Sequence, residues 1–170
     1  AGRLDDVLVF SPQSDMSYNF IADEKSQSQG SDALVENLTA LLMTVTDLGS
    51  GGNEGSGGDS DKYFKLEGTR LARNGILALV LAGDTITIPD LHKLIVSSPT
   101  SMEQVASESW QKNSFCFKCL KAADKAEKTE SQQADFELAL TYFLKEWPSL
   151  SSRTRSVVQS TITSATDLLS

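Results

Sequence analysis

Residues 75–82 read Gly-Ile-Leu-Ala-Leu-Val-Leu-Ala, the longest apolar run of the chain. Apolar spacing predicts a helix around it, running from the cap-forming residues 59–61 to about Ala82. The later half of that helix is apolar on nearly every side, so we expect it at the centre of a bundle rather than on a surface. The run is far shorter than the roughly 18 apolar residues that a membrane-spanning helix needs.

Further helices are predicted on both sides of this central one. Upstream, leucines and valines spaced by three and four predict a helix from a cap at Ser31 or Asp32 to about Gly49. Downstream, the pattern predicts two short helices: one opened by Thr87 with Pro89 in its first turn, and one with capping-box spacing at Thr100 and Glu103. A helix over 110–130 is predicted next, followed by a helix from about Gln132 that stops at Trp147-Pro148. The last predicted helix is capped by Ser151.

The N-terminal part of the chain differs from the rest. Residues 6–10, Asp-Val-Leu-Val-Phe, predict one short strand, and 13–30 predict a loop that docks by Asn19-Phe20-Ile21. Residues 49–58 contain six glycines and predict a flexible loop, natural or engineered. The expected fold is therefore mainly α: a bundle of six to seven helices over 31–170, entered from a strand or extended segment in 1–30.

Charge is distributed unevenly along the chain. Fifteen Lys and Arg face 23 Asp and Glu, which gives a net charge of -8. Residues 1–61 alone carry -9, whereas residues 62–170 carry +1. The acidic excess thus belongs to the front, and the total charge does not exclude a nucleic-acid partner for the remaining bundle.

The sequence lacks the residues that several kinds of functional site require. The glycine-rich stretch leads into Asp59-Ser60-Asp61 rather than Gly-Lys-Ser/Thr, so it does not predict a phosphate loop. Cys116 and Cys119 form a lone CxxC and His92 is the single histidine, too few for a structural zinc site. We expect the two cysteines to line a buried helix face, and we expect no cofactor. The low cysteine count fits a reducing compartment, and residues 1–6 do not resemble an export signal.

Basic residues give the clearest functional signal. Lys118, Lys121, Lys125 and Lys128 follow one another at steps of three and four, which would place four ammonium groups on one face of one helix. Lys62, Lys65 and Arg73 form a looser version on the second helix. Such rows could contact successive phosphates of DNA, or they could be ordinary solvated helix faces.

Three stretches together resemble the coupling proteins of type IV secretion and conjugation, the hexameric DNA-pumping ATPases of the TraD/TraG group in the FtsK/HerA superfamily. They are residues 6–12 with Tyr18-Asn19-Phe20, residues 61–64 running into 75–80 and 87–91, and residues 142–148 followed by 150–156 and 161–163. The chain departs from the family pattern at Phe20, where proline is more usual, and in the glycine-rich stretch.

This resemblance implies the all-α domain that interrupts the nucleotide-binding domain of those ATPases, with residues 1–30 leading in from the latter. It implies a substrate-receiving role toward DNA and a relaxase or effector protein, in the cytoplasm at the inner face of the bacterial inner membrane, without membrane contact by this part. No phosphate loop is present, so we expect no catalysis by this chain alone. The alternative is a protein-protein adaptor that docks a secretion partner without touching DNA.

The family motif around Trp147 and Pro148 also has a local interpretation. Ser151 is expected to cap a helix whose first turn holds Arg153 and Arg155. Positive charge opposes the helix dipole there. We therefore expect the two arginines to meet carboxylates of the acidic front or of a neighbouring domain, or else an external anion.

Overall fold

The protein is mainly helical in the residues that the structure describes. The computed structural model describes residues 31–49, 58–83 and 86–169. The strand predicted at 6–10, the loop predicted at 13–30 and most of the glycine-rich stretch lie outside these ranges. Within them the predicted mainly α fold is confirmed.

Eight helices are present in the described residues. They are α1 (Ser31–Gly49), α2 (Asp59–Ala82), α3 (Ile88–Val96), α4 (Met102–Ala106), α5 (Glu108–Asn113), α6 (Phe115–Lys125), α7 (Glu130–Thr141, extended by Tyr142–Glu146 and Trp147–Ser149) and α8 (Ser152–Leu168).

The bundle is built around α2, as its apolar run predicts. This helix packs against α1, α3, α6, α7 and α8. Ile76, Leu77 and Ala78 are at most 3% exposed and lie in one continuous hydrophobic core with residues of all five neighbours. The first two turns of α2 are mostly exposed, so the helix is central only in its later part.

Two glycines let other helices approach α2 closely. A Cβ at Gly75 would lie 3.0 Å from Cδ1 of Leu91 on α3, and one at Gly68 would lie 3.3 Å from Cδ1 of Ile162 on α8. Real Cβ atoms rarely meet carbon neighbours at such distances, so an alanine at either position would require the side chain of Leu91 or Ile162 to move by a few tenths of an ångström.

The single helix predicted over 110–130 is wrong, because the chain breaks at Ser114 and ends its helix at Lys125. The Ser114 hydroxyl accepts from the backbone N–H of Phe117, which caps α6. The same hydroxyl donates to the backbone carbonyl of Ser97 at 2.9 Å. The indole N–H of Trp110 donates to that carbonyl too, also at 2.9 Å. A carbonyl at the end of α3 thus fixes the junction between α5 and α6.

Local capping signals were mostly correct. Thr87 accepts from the N–H of Asp90 and Ser151 from that of Thr154, as predicted. The box predicted at Thr100 and Glu103 is displaced by one residue, since Ser101 is the cap and Gln104 is its partner. The side chain of Gln104 accepts from the N–H of Thr100, which completes that turn.

The predicted stop at Trp147-Pro148 is also wrong. Helical geometry continues through Trp147, whose φ and ψ are -56° and -51°, and ends only at Leu150. A π-helical turn, Tyr142–Glu146, precedes it, and the N–H of Trp147 bonds to the carbonyl of Tyr142 five residues back. The wider turn accommodates a proline that an ordinary α-helix would tolerate poorly.

Candidate nucleic-acid interface

Helix α6 has two sharply different sides. Cys116, Cys119, Leu120 and Ala123 are buried, and at 100° per residue they share one side of the helix. Three lysines, Lys118, Lys121 and Lys125, are exposed and centred on the opposite side. Within the described ranges no ion pair or hydrogen bond engages their ammonium groups. We call these three residues the lysine face.

Aromatic side chains border the lysine face. Phe115 and Phe117 are half-buried, and the ring of Phe117 packs edge-on against Trp110 at a centroid distance of 5.4 Å. The ammonium of Lys93 on α3 lies 6.0 Å from the centroid of Phe115 and 3.4 Å from Asp90. Sequence spacing missed Lys93, because only the packing of α3 against α6 brings it near this face.

Lys128 lies away from the other three lysines of the predicted row. It follows the end of α6, and its ammonium donates to the carbonyls of Ala126 at 2.8 Å, Asp124 at 3.0 Å and Ala123. It also lies 4.9 Å from the ring centroid of Phe136 on α7. Lys128 therefore closes the C-terminal end of α6, where carbonyls lack partners and attract positive charge.

The predicted basic row on α2 is largely neutralised by α1. Lys65 lies 2.7 Å from Asp47, and Nε of Arg73 lies 2.8 Å from Glu36. These pairs link the two antiparallel helices at the surface. Lys62 is exposed in the first turn of α2.

Arg70 joins two acidic residues that are far apart in the sequence. It donates to Glu67 at 3.0 Å and to Glu146 in the π-helical turn, and its guanidinium lies 5.0 Å from the ring centroid of Tyr142. Partial burial lowers the pKa of Arg70, but the hydrogen bonds to both glutamates outweigh this and raise it. The spacing of Glu67 and Arg70 could have indicated the local pair, but nothing in the sequence indicated Glu146.

Glu67 and Tyr142 are both almost fully buried, at 5% and 1% exposed. Burial, and then the charge of Glu67, raise the pKa of the Tyr142 hydroxyl well above its usual value. The buried Glu67 carboxylate needs the positive charge of Arg70, because burying a charge without a partner costs free energy. We call Glu67, Arg70, Tyr142 and Glu146 the arginine cluster.

Most residues of the family motif are buried or hydrogen-bonded within the bundle. Trp147 is 1% exposed and Pro148 is buried. Arg155 donates to the carbonyls of Pro148, at 3.1 Å, and Leu150. Arg155 thus meets backbone carbonyls at the preceding helix end, and no carboxylate of the described residues forms an ion pair with it; most of the acidic front lies outside the described ranges. Arg153 is exposed and forms no ion pair with the described residues.

The other candidate groups do not form a reactive site. Burial raises the pKa of Cys116 to about 12 and that of Cys119 to about 11, so both thiols stay protonated at neutral pH. Nδ1 of His92 lies 3.0 Å from the hydroxyl of Thr166 and 3.3 Å from Asp167. In the described part of the chain no three metal-ligating side chains come together.

Comparisons with family models, curated proteins and solved structures find no match to this chain. The helices of the described ranges are all too short or too polar to cross a membrane.

Proposed function

We propose that this chain is the substrate-receiving all-α domain of a conjugative type IV secretion coupling ATPase, and that DNA is received on the lysine face. The resemblance of three stretches to that family supports the proposal. So does the helical fold, which is the fold that the resemblance implies. The observation that carries the DNA assignment is the set of three exposed lysines opposite the buried side of α6.

The lysine face has a suitable length for a DNA backbone. Lys118 and Lys125 are seven residues apart, or about 10 Å along the helix axis. Successive phosphates of one strand in duplex DNA are about 3.4 Å apart along the axis, so the row is about three phosphate spacings long. Such contacts fix the position of the strand without reading its bases, as a domain that receives any transferred DNA requires.

In this proposal the domain binds and orients its substrate while the rest of the ATPase, a hexamer, supplies the motor. A relaxase or effector protein would be the second partner, and the site of action would be the cytoplasmic face of the inner membrane. The chain would not catalyse a reaction by itself.

The test is the binding of fluorescently labelled DNA, measured by anisotropy at several salt concentrations. Three phosphate contacts give about a 20- to 40-fold loss of affinity between 50 and 200 mM salt. A triple variant, K118Q/K121Q/K125Q, is expected to lose at least about tenfold in affinity and most of that salt dependence.

The control is K65Q/R73Q, which removes two positive charges that already have carboxylate partners and is compared with the double variant K118Q/K125Q as well as with the triple variant. It is expected to change the affinity less than about threefold, since its effect is mainly on the total charge. Equal losses in K65Q/R73Q and K118Q/K125Q, or binding that does not respond to salt, would contradict the lysine face. DNA binding that is absent in the unmodified chain would favour the adaptor alternative, in which the acidic front docks a basic protein.

A further inference from the structure

Two buried oxygen atoms in the arginine cluster have no hydrogen-bond partner among the described residues. They are Oε2 of Glu67 on α2 and the hydroxyl oxygen of Tyr142 in the π-helical turn. Both side chains are more than nine-tenths buried. Buried polar atoms in proteins nearly always have a partner, because an unpaired one loses its hydration without compensation. The two oxygens therefore indicate a binding site inside the cluster.

Arg70 lies against both groups. Its guanidinium donates to the other carboxylate oxygen of Glu67, Oε1, at 3.0 Å, and its Cζ lies 5.0 Å from the ring centroid of Tyr142. Burial, and next the charge of Glu67, raise the pKa of the Tyr142 hydroxyl. Tyr142 therefore keeps its proton at neutral pH and can donate it in a hydrogen bond, whereas the ionised Glu67 carboxylate can only accept.

The chemistry of the two oxygens restricts what can bind between them. They do not bond directly to each other. A ligand that joins them has to donate to Glu67, which excludes an anion without protons. A second cation would be buried at a carboxylate that Arg70 already neutralises, and burying a charge is costly. Water can accept from the Tyr142 hydroxyl and donate to Glu67, and it is small enough for a place closed to solvent.

We propose that one buried water molecule binds between Oε2 of Glu67 and the hydroxyl of Tyr142. Glu67 then holds the π-helical turn to α2 through both of its oxygens. Oε1 does so through Arg70, which also donates to Glu146, and Oε2 does so through the water and Tyr142. This inference does not rest on the proposed function, since it uses neither DNA nor a partner protein.

A high-resolution crystal structure of the unmodified chain tests the site directly. The expected result is electron density for one water within about 2.5–3.0 Å of both oxygens, the range of an O–H···O hydrogen bond. A direct bond between Glu67 and Tyr142 would overturn the proposal. An ordered site without water between the two oxygens would overturn it as well.

Thermal unfolding of Y142F tests whether the hydroxyl has a partner. The variant is expected to lower the midpoint of unfolding by about 3–6 °C, because the water and Glu67 lose a hydrogen bond in the core. The matched control is Y63F, since Tyr63 is 43% exposed, and its midpoint should change by less than about 1 °C. A hydroxyl without a partner predicts the opposite sign for Y142F, so an unchanged or raised midpoint would overturn the proposal.

A double-mutant cycle tests whether that partner is linked to Glu67. In an E67L background the water has lost its other anchor, so Y142F should lower the midpoint by less than half as much as it does in the unmodified chain. The effect of Y63F should be the same in both backgrounds. An equal drop for Y142F with and without Glu67 would show that its hydroxyl bonds elsewhere, and would overturn the bridge.

Discussion

Helices α2 and α6 both carry basic residues at steps of three to five, but the two rows differ in their ion pairs. On α2, Lys65, Arg70 and Arg73 each meet at least one carboxylate. On α6, the lysine face meets none within the described ranges. The difference comes from the neighbours: α1 and the π-helical turn lie beside α2 and present Asp47, Glu36 and Glu146, whereas no helix of the described residues presents a carboxylate to the outer side of α6. A basic row is therefore a candidate binding surface only when the packing leaves its cations without ion-pair partners.

The pairs on α2 also differ among themselves in burial. Glu36 and Asp47 have 60% and 53% of their side-chain surface exposed, whereas Glu67 has 7%. Exposed pairs contribute about 0–1 kcal/mol to the free energy of unfolding. The pair of Arg70 with buried Glu67 should matter far more when it is broken, because the carboxylate cannot regain its hydration.

The largest expected effect is therefore that of R70M. It leaves Glu67 buried beside Tyr142 without its cation, and the free energy of unfolding should fall by about 3 kcal/mol. The control R73M removes the partner of exposed Glu36 and should cost less than about 1 kcal/mol. Urea unfolding at neutral pH measures both.

Adding E67Q to R70M should restore part of the loss, since it removes the charge that was left unpaired. Similar losses for R70M and R73M would show that burial of Glu67 does not set the two pairs apart.

The buried side of α6 gives the next effect, at alkaline pH. The folded-state pKa of Cys116 is raised above its usual value of 9.0 to about 12, by burial. The folded protein therefore keeps a proton that the unfolded chain loses above pH 9, and stability must fall as pH rises through that window. One thiol contributes a loss of about 1.4 kcal/mol between pH 8 and pH 10.

Urea midpoints at pH 8, 9 and 10 measure this dependence. C116A/C119A should be less stable throughout, because it truncates buried side chains, but its stability should fall less steeply with pH. An unchanged slope in that variant would mean that other groups cause the alkaline loss.

The smallest expected effect separates Lys128 from the lysine face. K128M removes the ammonium that closes the C-terminal end of α6 and lies against Phe136, so it should cost about 1 kcal/mol of stability. DNA affinity should hardly change. K121M should do the reverse, with DNA binding weakened and stability nearly unchanged. If K128M weakens DNA binding as much as K121M does, all four lysines act as one surface despite their different positions.

Much of the fold followed from the sequence because it depends on neighbouring residues. The buried later part of α2 follows from its apolar run, and the starts of α3 and α8 follow from the hydroxyls of Thr87 and Ser151, which accept from amides three residues on. Three lysines of the predicted row lie together on one helix for the same reason, since spacing alone places them.

The features that were missed depend on partners far along the chain. Ser114 interrupts the predicted helix by bonding to Ser97, seventeen residues away, and Arg70 meets Glu146 across seventy-six. Arg155 finds carbonyls exposed only because the preceding helix ends at Leu150. No local pattern encodes such contacts, so they become visible only once the helices are packed.

The π-helical turn has a consequence for insertions and deletions. It holds one residue more than an α-helical turn, and it lets Tyr142 and Trp147, five positions apart, bring their rings to 6.2 Å from each other in the core. In a regular α-helix the same two side chains would diverge by about 140°. Removing one residue between them would leave the two side chains four positions apart, about 40° from each other in a uniform α-helix, so both rings would stay on one side of the helix. Related chains that lack this extra residue should therefore keep both rings in the core, with an ordinary α-helical turn in place of the π-helical one.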